Sequence, residues 1–241
     1  MEKIITFDNL RSFAYCNDRI CQTPIRGIVI CFFGLTVDAM YPTETDEGRK
    51  YAEQGILYMI PYANPWAWMN KQTVDYTDEI LDVLFQEYHL PADIPIVSTG
   101  CSMGGLSALV YTTYAKRTPV ASVTNCPVCD LPYHYTERPD LPRTLYSAFG
   151  TYSGTMEEAL RSASPIHLVD KLPTSVRYTV FHTIGDPAVS KQKHSDPFVQ
   201  KMQDTHDIRY YAVPGTSHCE MTADMAALYD QAILDAIEEH Q

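Results

Sequence analysis

Six stretches of the chain are apolar at nearly every position and end at turn residues: Ile28–Phe33, Gly55–Ile60, Ile94–Ser98, Val120–Thr124, Arg177–Phe181 and Ile208–Val213. A strand with one wet face alternates polar and apolar residues. Near-continuous apolar runs instead predict strands covered on both faces, as in a parallel sheet. Shorter strands are expected at Ile4–Phe7 and Ser12–Tyr15, broken by Asn17-Asp18 and Pro24. Between the runs the spacing turns helical. Thr77, Ile80, Leu81, Leu84, Phe85 and Tyr88 share one face, and Pro91 follows. Leu106, Leu109, Val110 and Thr113 share another after Gly104-Gly105, and Met221 to Ile237 form a third. Strands alternating with helices require crossover connections, so the expected architecture is α/β: a mostly parallel, doubly wound sheet with helices on both faces. Residues 126–163, rich in Pro, Tyr and Arg, break the alternation and predict a lid-like or cap insertion, stiffened by Pro127, Pro132, Pro139 and Pro142.

The 241 residues suit a single domain, 1–241, and 45% hydrophobic with 20% charged residues is the composition of a globular protein. A formal net charge of -12 argues against nucleic acid or an anionic membrane surface as partner. Met1–Asp8 carries none of the marks of a secretory signal, and Gly27–Leu35 is too short to span a bilayer, so a cytoplasmic location is expected. Seven cysteines, an odd number, form no evident disulfide framework, and reduced thiols fit that compartment. Oligomeric state is left open, a homo-oligomer being compatible with the composition.

The chemistry centres on Gly100-Cys101-Ser102-Met103-Gly104, a G-x-S-x-G pattern. Its context carries more weight than the match, because it follows an expected strand and opens an expected helix. Glycines permit the sharp turn that lifts a serine hydroxyl clear of the sheet edge, and the helix N-terminus favours developing negative charge. Such a serine needs a base, and the base an orienting acid, in the chain order Ser, Asp or Glu, His. Of the later histidines, His134, His167, His182, His194 and His206 lie before or within the approach to the last strand, and His182 reads as a packed core residue. His218 follows the last strand in Val213–His218 and is the candidate base. Asp186, in the turn-rich Thr183–Val189, is preferred as the acid, with Asp130 as the competing candidate and Asp170 and Asp196 read as caps or solvated charges. Met103 and Leu35 are the expected backbone donors of an oxyanion hole.

Trp66 and Trp68, in Pro65–Asn70, are candidates to wall a substrate pocket, with an aromatic plug against helices as the alternative. Tyr133, Tyr135, Tyr146 and Tyr152 suit either a cover over an amphipathic substrate or plain packing of the insertion. Cys126-x-x-Cys129 has no second pair to complete a zinc site, and no metal or other cofactor is expected. Cys101 and Cys219, beside the candidate Ser and His, are expected to be small buried residues. Glu44, Asp46 and Glu47 are expected to begin a helix.

With these residues in place, the chain resembles the α/β-hydrolase superfamily, in its prolyl-oligopeptidase-like and small-esterase branch. The resemblance is carried by Gly100–Gly105, Ser164-Pro165-Ile166-His167, Gly185–Val189 and Gly215–His218. It implies Ser102, Asp186 and His218 as a catalytic triad and Met103 and Leu35 as oxyanion donors. Phe33-Gly34 stands where many relatives carry His-Gly, and the chain has no room for the propeller of the oligopeptidases. The function expected is a serine hydrolase that cleaves a small or medium acyl ester, a small-molecule substrate, through an acyl-enzyme. A peptidase or amidase with the same triad is one alternative, and a non-catalytic binding protein on this scaffold the other.

Overall fold

A computed structural model describes residues 4–37, 39–63 and 66–241. Among these, seven strands form one sheet: β1 (Ala14–Cys16), β2 (Gly27–Phe32), β3 (Ile56–Pro61), β4 (Ile96–Cys101), β5 (Ala121–Asn125), β6 (Arg177–Thr183) and β7 (Asp207–Val213). Their order is β1-β3-β2-β4-β5-β6-β7. β1 runs antiparallel to β3, and every other pair is parallel. The helices are α1 (Asp46–Ala52), α2 (Lys71–Glu87), α3 (Met103–Tyr114), α4 (Leu131–Glu137), α5 (Leu141–Phe149), α6 (Met156–Ser162), α7 (Ser195–Met202) and α8 (Ala223–Glu238).

The two-sided apolar runs are explained by what covers each face. Ile28, Ile30 and Phe32 of β2, with Leu57 and Met59 of β3, pack into one core with α2, α3 and the helices of the insertion. The intervening Val29, Ile56, Tyr58 and Ile60 pack into a second core against Tyr51 of α1 and Ile233, Ala236 and Ile237 of α8. Successive strand residues point to opposite faces, so a strand feeding two cores must be apolar throughout. No helix among the described residues is long and apolar enough to cross a membrane.

One of the expected strands needs correction. Ile4–Phe7 does not form a strand. Phe7–Ser12 is a short 3-10 helix, because the Asn9 side chain accepts the Thr6 N–H at 2.8 Å while the Asn9 N–H turns back to Thr6 O at 3.2 Å. The insertion, which showed no clear strand in the sequence, folds as α4, α5 and α6. Pro132 and Pro142 sit in the first turns of α4 and α5, where a missing N–H costs nothing. Asp130 caps α4 by accepting the Tyr133 N–H at 3.1 Å, and Thr155 with Glu158 forms a capping box on α6.

The junction of β4 and α3 is packed backbone on backbone. A Cβ at Gly104 would lie 2.1 Å from Phe32 O, and one at Gly100 2.6 Å from the Gly104 carbonyl group. Gly104→Ala is therefore expected to destabilise the fold by about 3 kcal/mol, as overpacking against unyielding backbone does. Gly34→Ala, whose Cβ would lie 3.8 Å from its nearest neighbour, should stay within about 0.5 kcal/mol. Denaturant unfolding of the two variants checks this, and equal stabilities would contradict it.

Candidate active site

β4 ends at Cys101 and α3 begins at Met103, so Ser102 is the hinge between them. Its backbone has φ 58° and ψ -124°. That conformation is unfavourable for a residue with a side chain, by about 1–3 kcal/mol. It is held from three sides: the Ser102 N–H donates to Asn125 O at 3.0 Å, and Ser102 O accepts from Leu106 N at 3.1 Å and Val128 N at 3.3 Å. The turn sets Ser102 at the head of α3, whose first N–H groups have no intrahelical acceptor. Met103 carries the first of these.

Asp186 and His218 come from the loops after β6 and β7. The two loops are tied together by Ile184 N to Val213 O (2.9 Å) and Gly185 N to Gly215 O (3.0 Å). Glu220 accepts the Thr216 and Ser217 N–H groups at 2.9 Å each, and Asn125 Nδ2 donates to Cys219 O at 3.0 Å. The Asp186 side chain is 0% exposed and that of His218 32%. Asp186 Oδ1 accepts from Ala188 N (2.8 Å) and Val189 N (3.0 Å), and its two oxygens lie 2.9 and 2.7 Å from His218 Nδ1. Burial works to raise the Asp186 pKa, but the hydrogen bonds from His218, Val189 and Ala188 override it and hold the carboxyl below its usual range. An ionised carboxylate only accepts, so His218 Nδ1 carries the proton and Nε2 keeps its lone pair. The bond to Asp186, opposed by partial burial, pushes the imidazole pKa up.

Ser102 and His218 line one cleft of about 430 Å³ with Gly34, Leu35, Trp68 and Cys101. His134, Arg138 and Asp140 from the insertion line it too, with Thr36, Val37, Val189 and Cys219. Of the aromatic residues singled out in the sequence, Trp68 lines this cleft, its ring buried and its Nε1 donating to Thr144 Oγ1 at 3.1 Å. Trp66 lines a separate pocket of about 370 Å³ with Tyr62 and Tyr76. Tyr133 packs against the His194 ring, with centroids 5.6 Å apart, and Tyr146 is exposed, neither belonging to the cleft wall. Pro65 lies outside the described residues.

The other acidic candidate is elsewhere. Asp130 is committed to capping α4 and lies 3.8 Å from His167 Nε2. His182 is buried in β6 with both nitrogens used, Nδ1 on Ser195 Oγ at 2.6 Å and Nε2 donating to Val189 O at 2.9 Å. Cys101 is exposed rather than buried, and Cys219 is half-buried with its sulfur 3.5 Å from His218 Nε2. Hydrogen bonds to Cys101 and Cys126, then burial, push the Cys219 thiol pKa up and keep it protonated. His134, Arg138 and Asp140 were not singled out from the sequence. The one available signal was the i,i+3 spacing of His134 and Glu137, which places both on one helical face.

No family model matches the sequence, and no curated protein matches it. Solved structures do. The chain superposes on a puromycin hydrolase with a TM-score of 0.68 at 13% identity, covering 90% of this chain and 34% of that one. For the acylaminoacyl peptidase of Pyrococcus horikoshii the TM-score is 0.66 at 13% identity, covering 88% and 37%. For a thermophilic esterase from the planctomycete Thermogutta terrifontis, solved with butyrate bound, it is 0.65 at 16% identity, covering 93% and 88%. The chain thus spans about a third of the length of these two larger enzymes, 34% and 37%, and most of the esterase. At these identities the likeness shows the fold: this chain has the α/β-hydrolase fold.

The Asp186–His218 contact makes a titration prediction. Asp186→Asn removes the charge that favours imidazolium, so the His218 pKa should fall, read by NMR of the ring Cε1–H. The linked stability has two signs. The His218 share is full below the ordinary imidazole pKa and lost as pH rises through the raised one. The Asp186 share is present above the ordinary carboxylate pKa and lost as pH falls through the lowered one. The Tm difference between wild type and Asp186→Asn should therefore be largest at mildly acidic pH. A difference that is flat with pH would contradict the pairing.

Proposed function

We propose that the chain is a serine hydrolase that cleaves a carboxylic ester of a small or medium acyl group through an acyl-enzyme. The observation that carries this reading is the shared cleft: Ser102, held in a strained turn at the head of a helix, opens on the same space as His218, whose Nε2 lone pair is fixed by Asp186. Ser102 Oγ attacks the ester carbonyl while His218 Nε2 takes its proton. The carbonyl becomes a tetrahedral oxyanion, for which the Met103 and Leu35 N–H groups are the candidate donors. Collapse expels the alcohol, which receives the proton from His218. Water then repeats the sequence, releasing the acid and restoring Ser102. Asp186 stays ionised throughout and holds the imidazole in its tautomer and orientation. In this reading the insertion is the cover of the cleft, through His134, Arg138 and Asp140.

Ester cleavage is preferred to peptide cleavage because the butyrate-bound esterase matches this chain over most of both lengths, whereas the puromycin hydrolase and acylaminoacyl peptidase are about two and a half times as long. A peptidase or amidase is kept as second reading because the fold likeness to those enzymes is as good, with TM-scores of 0.68 and 0.66. A net charge of -12 argues against nucleic-acid or anionic-membrane partners.

A fluorophosphonate probe should label the wild type and not Ser102→Ala, and ester turnover of Ser102→Ala should fall by about 10⁴-fold or more. Unchanged labelling of Ser102→Ala, or none of the wild type, would sink the reading and favour a binding protein. Asp186→Asn should cost about 10⁴-fold in kcat, while Asp130→Asn should stay within about threefold. Turnover should rise with pH through the raised His218 pKa, because only the neutral imidazole accepts the proton. A panel of p-nitrophenyl esters and aminoacyl amides separates the two substrate classes, faster amide cleavage overturning the preference for esters.

A further inference from the structure

His134, Glu137 and His194 form a buried chain of hydrogen bonds beside the cleft that the proposed reaction does not use. His194 is 0% exposed and His134 2%. His194 Nδ1 accepts two backbone N–H groups, from Cys129 and Asp130, each at 3.2 Å. Its only proton is therefore on Nε2, which donates to Glu137 Oε2 at 3.1 Å. His134 Nδ1 donates to the same oxygen at 2.6 Å. Burial works to raise the Glu137 pKa, but these two bonds bring it down to about 2, so the acceptor is a carboxylate.

The ligating atoms of the three residues lie close enough together to hold a cation. The protons argue against it. A metal on His194 Nε2 would need the ring proton on Nδ1, where it would face two backbone N–H donors. The chain is instead a clamp that settles the tautomer of His134.

With Nδ1–H committed to Glu137, the His134 nitrogen left over is Nε2, which has no protein partner among the described residues, and the ring lines the cleft beside Ser102 and His218. Two features keep it an acceptor rather than a second donor. The ring is buried against the Trp68 indole, with centroids 5.5 Å apart, and the Arg138 guanidinium shares the cleft wall. Burial, followed by the neighbouring His194 and Arg138, lowers the imidazole pKa, outweighing Glu137. Nε2 is thus a fixed, neutral acceptor in a wall that also carries the Trp68 ring, Thr36, Val189 and an Arg138–Asp140 ion pair joined by hydrogen bonds of 2.9 and 3.1 Å.

We propose that His134 is a specificity residue that accepts a hydrogen bond from an O–H or N–H group of the substrate, so that the preferred ester carries a hydroxyl or ammonium donor on its acyl or alcohol part. This rests on the serine hydrolase reading and narrows its substrate class. An acceptor left unpaired once bound substrate keeps water from it is costly, and a substrate without the donor pays that cost.

The test compares matched esters. On the acyl side, p-nitrophenyl butyrate is set against its 2-hydroxy, 3-hydroxy and 2-amino counterparts. On the alcohol side, ethyl butyrate is set against 2-hydroxyethyl butyrate. The wild type should favour at least one donor-bearing ester by about 10- to 100-fold in kcat/KM. The arm in which the preference appears locates the donor. In His134→Leu the ratio should collapse to about one. His134→Gln, whose amide oxygen stands where Nε2 was, should restore part of it, and His134→Asn, whose amide stands at Nδ1, should not. Fluorophosphonate labelling of Ser102 and the Tm of each variant report separately on the nucleophile and the fold. No preference in either arm with labelling intact, or a preference that survives His134→Leu, would overturn the proposal. Absence of labelling in the wild type would remove the hydrolase reading itself, and this inference with it.

Discussion

The oxygen of Phe32 occupies the place where a side chain at position 104 would begin. That contact lets the end of β2 and the first turn of α3 touch through backbone alone, and much else at the sheet edge follows from it. With α3 this close, the chain has no room for a relaxed turn, and Ser102 takes up the strain at φ 58°. The loop after β2, carrying Gly34 and Leu35, is brought against the same edge and lines the same cleft. Strain at one residue persists because the surrounding hydrogen bonds to Asn125, Leu106 and Val128 fix it from both neighbours.

A second constraint is electrostatic. Asp186 is a fully buried carboxylate that survives as an anion because backbone N–H groups and one imidazole N–H point at it. The same logic recurs at Glu137, where two imidazole N–H groups replace the backbone donors. In both places an acid fixes which nitrogen of a histidine bears the proton, and in both the histidine lines the cleft. The two assemblies sit on different parts of the chain, one on the loops after β6 and β7, the other on α4 and the start of α7.

Much of this was legible in the sequence, for identifiable reasons. Strands that feed two cores must be apolar throughout, so β2 and β3 stood out as runs, whereas β7, read as covered on both faces, is the edge strand and is buried only at Val213. The G-x-S-x-G pattern was legible because its glycines answer to a steric demand that no other residue meets. Asp186 could be preferred over Asp130 from position alone, and the structure adds that Asp130 is spent on capping α4 while Asp186 meets His218. The insertion was opaque because its helices are short, seven, nine and seven residues, and are started by Pro, Asp and Thr rather than announced by periodicity. His134 was hidden for a related reason. Its meaning depends on His194, 60 positions away, whose tautomer is set by two backbone amides that no spacing rule reveals.

The bonds from Cys129 and Asp130 to His194 lie at the root of the insertion, where the chain leaves the sheet for α4. They act as a bolt: α4 cannot swing outward without stripping two amides of their acceptor and Glu137 of a donor. The wall carrying His134 is thus a fixed jamb rather than a moving flap. On this side the cleft keeps its outline only as long as His194 keeps its two amides and its carboxylate, so any widening there would begin with the loss of those bonds.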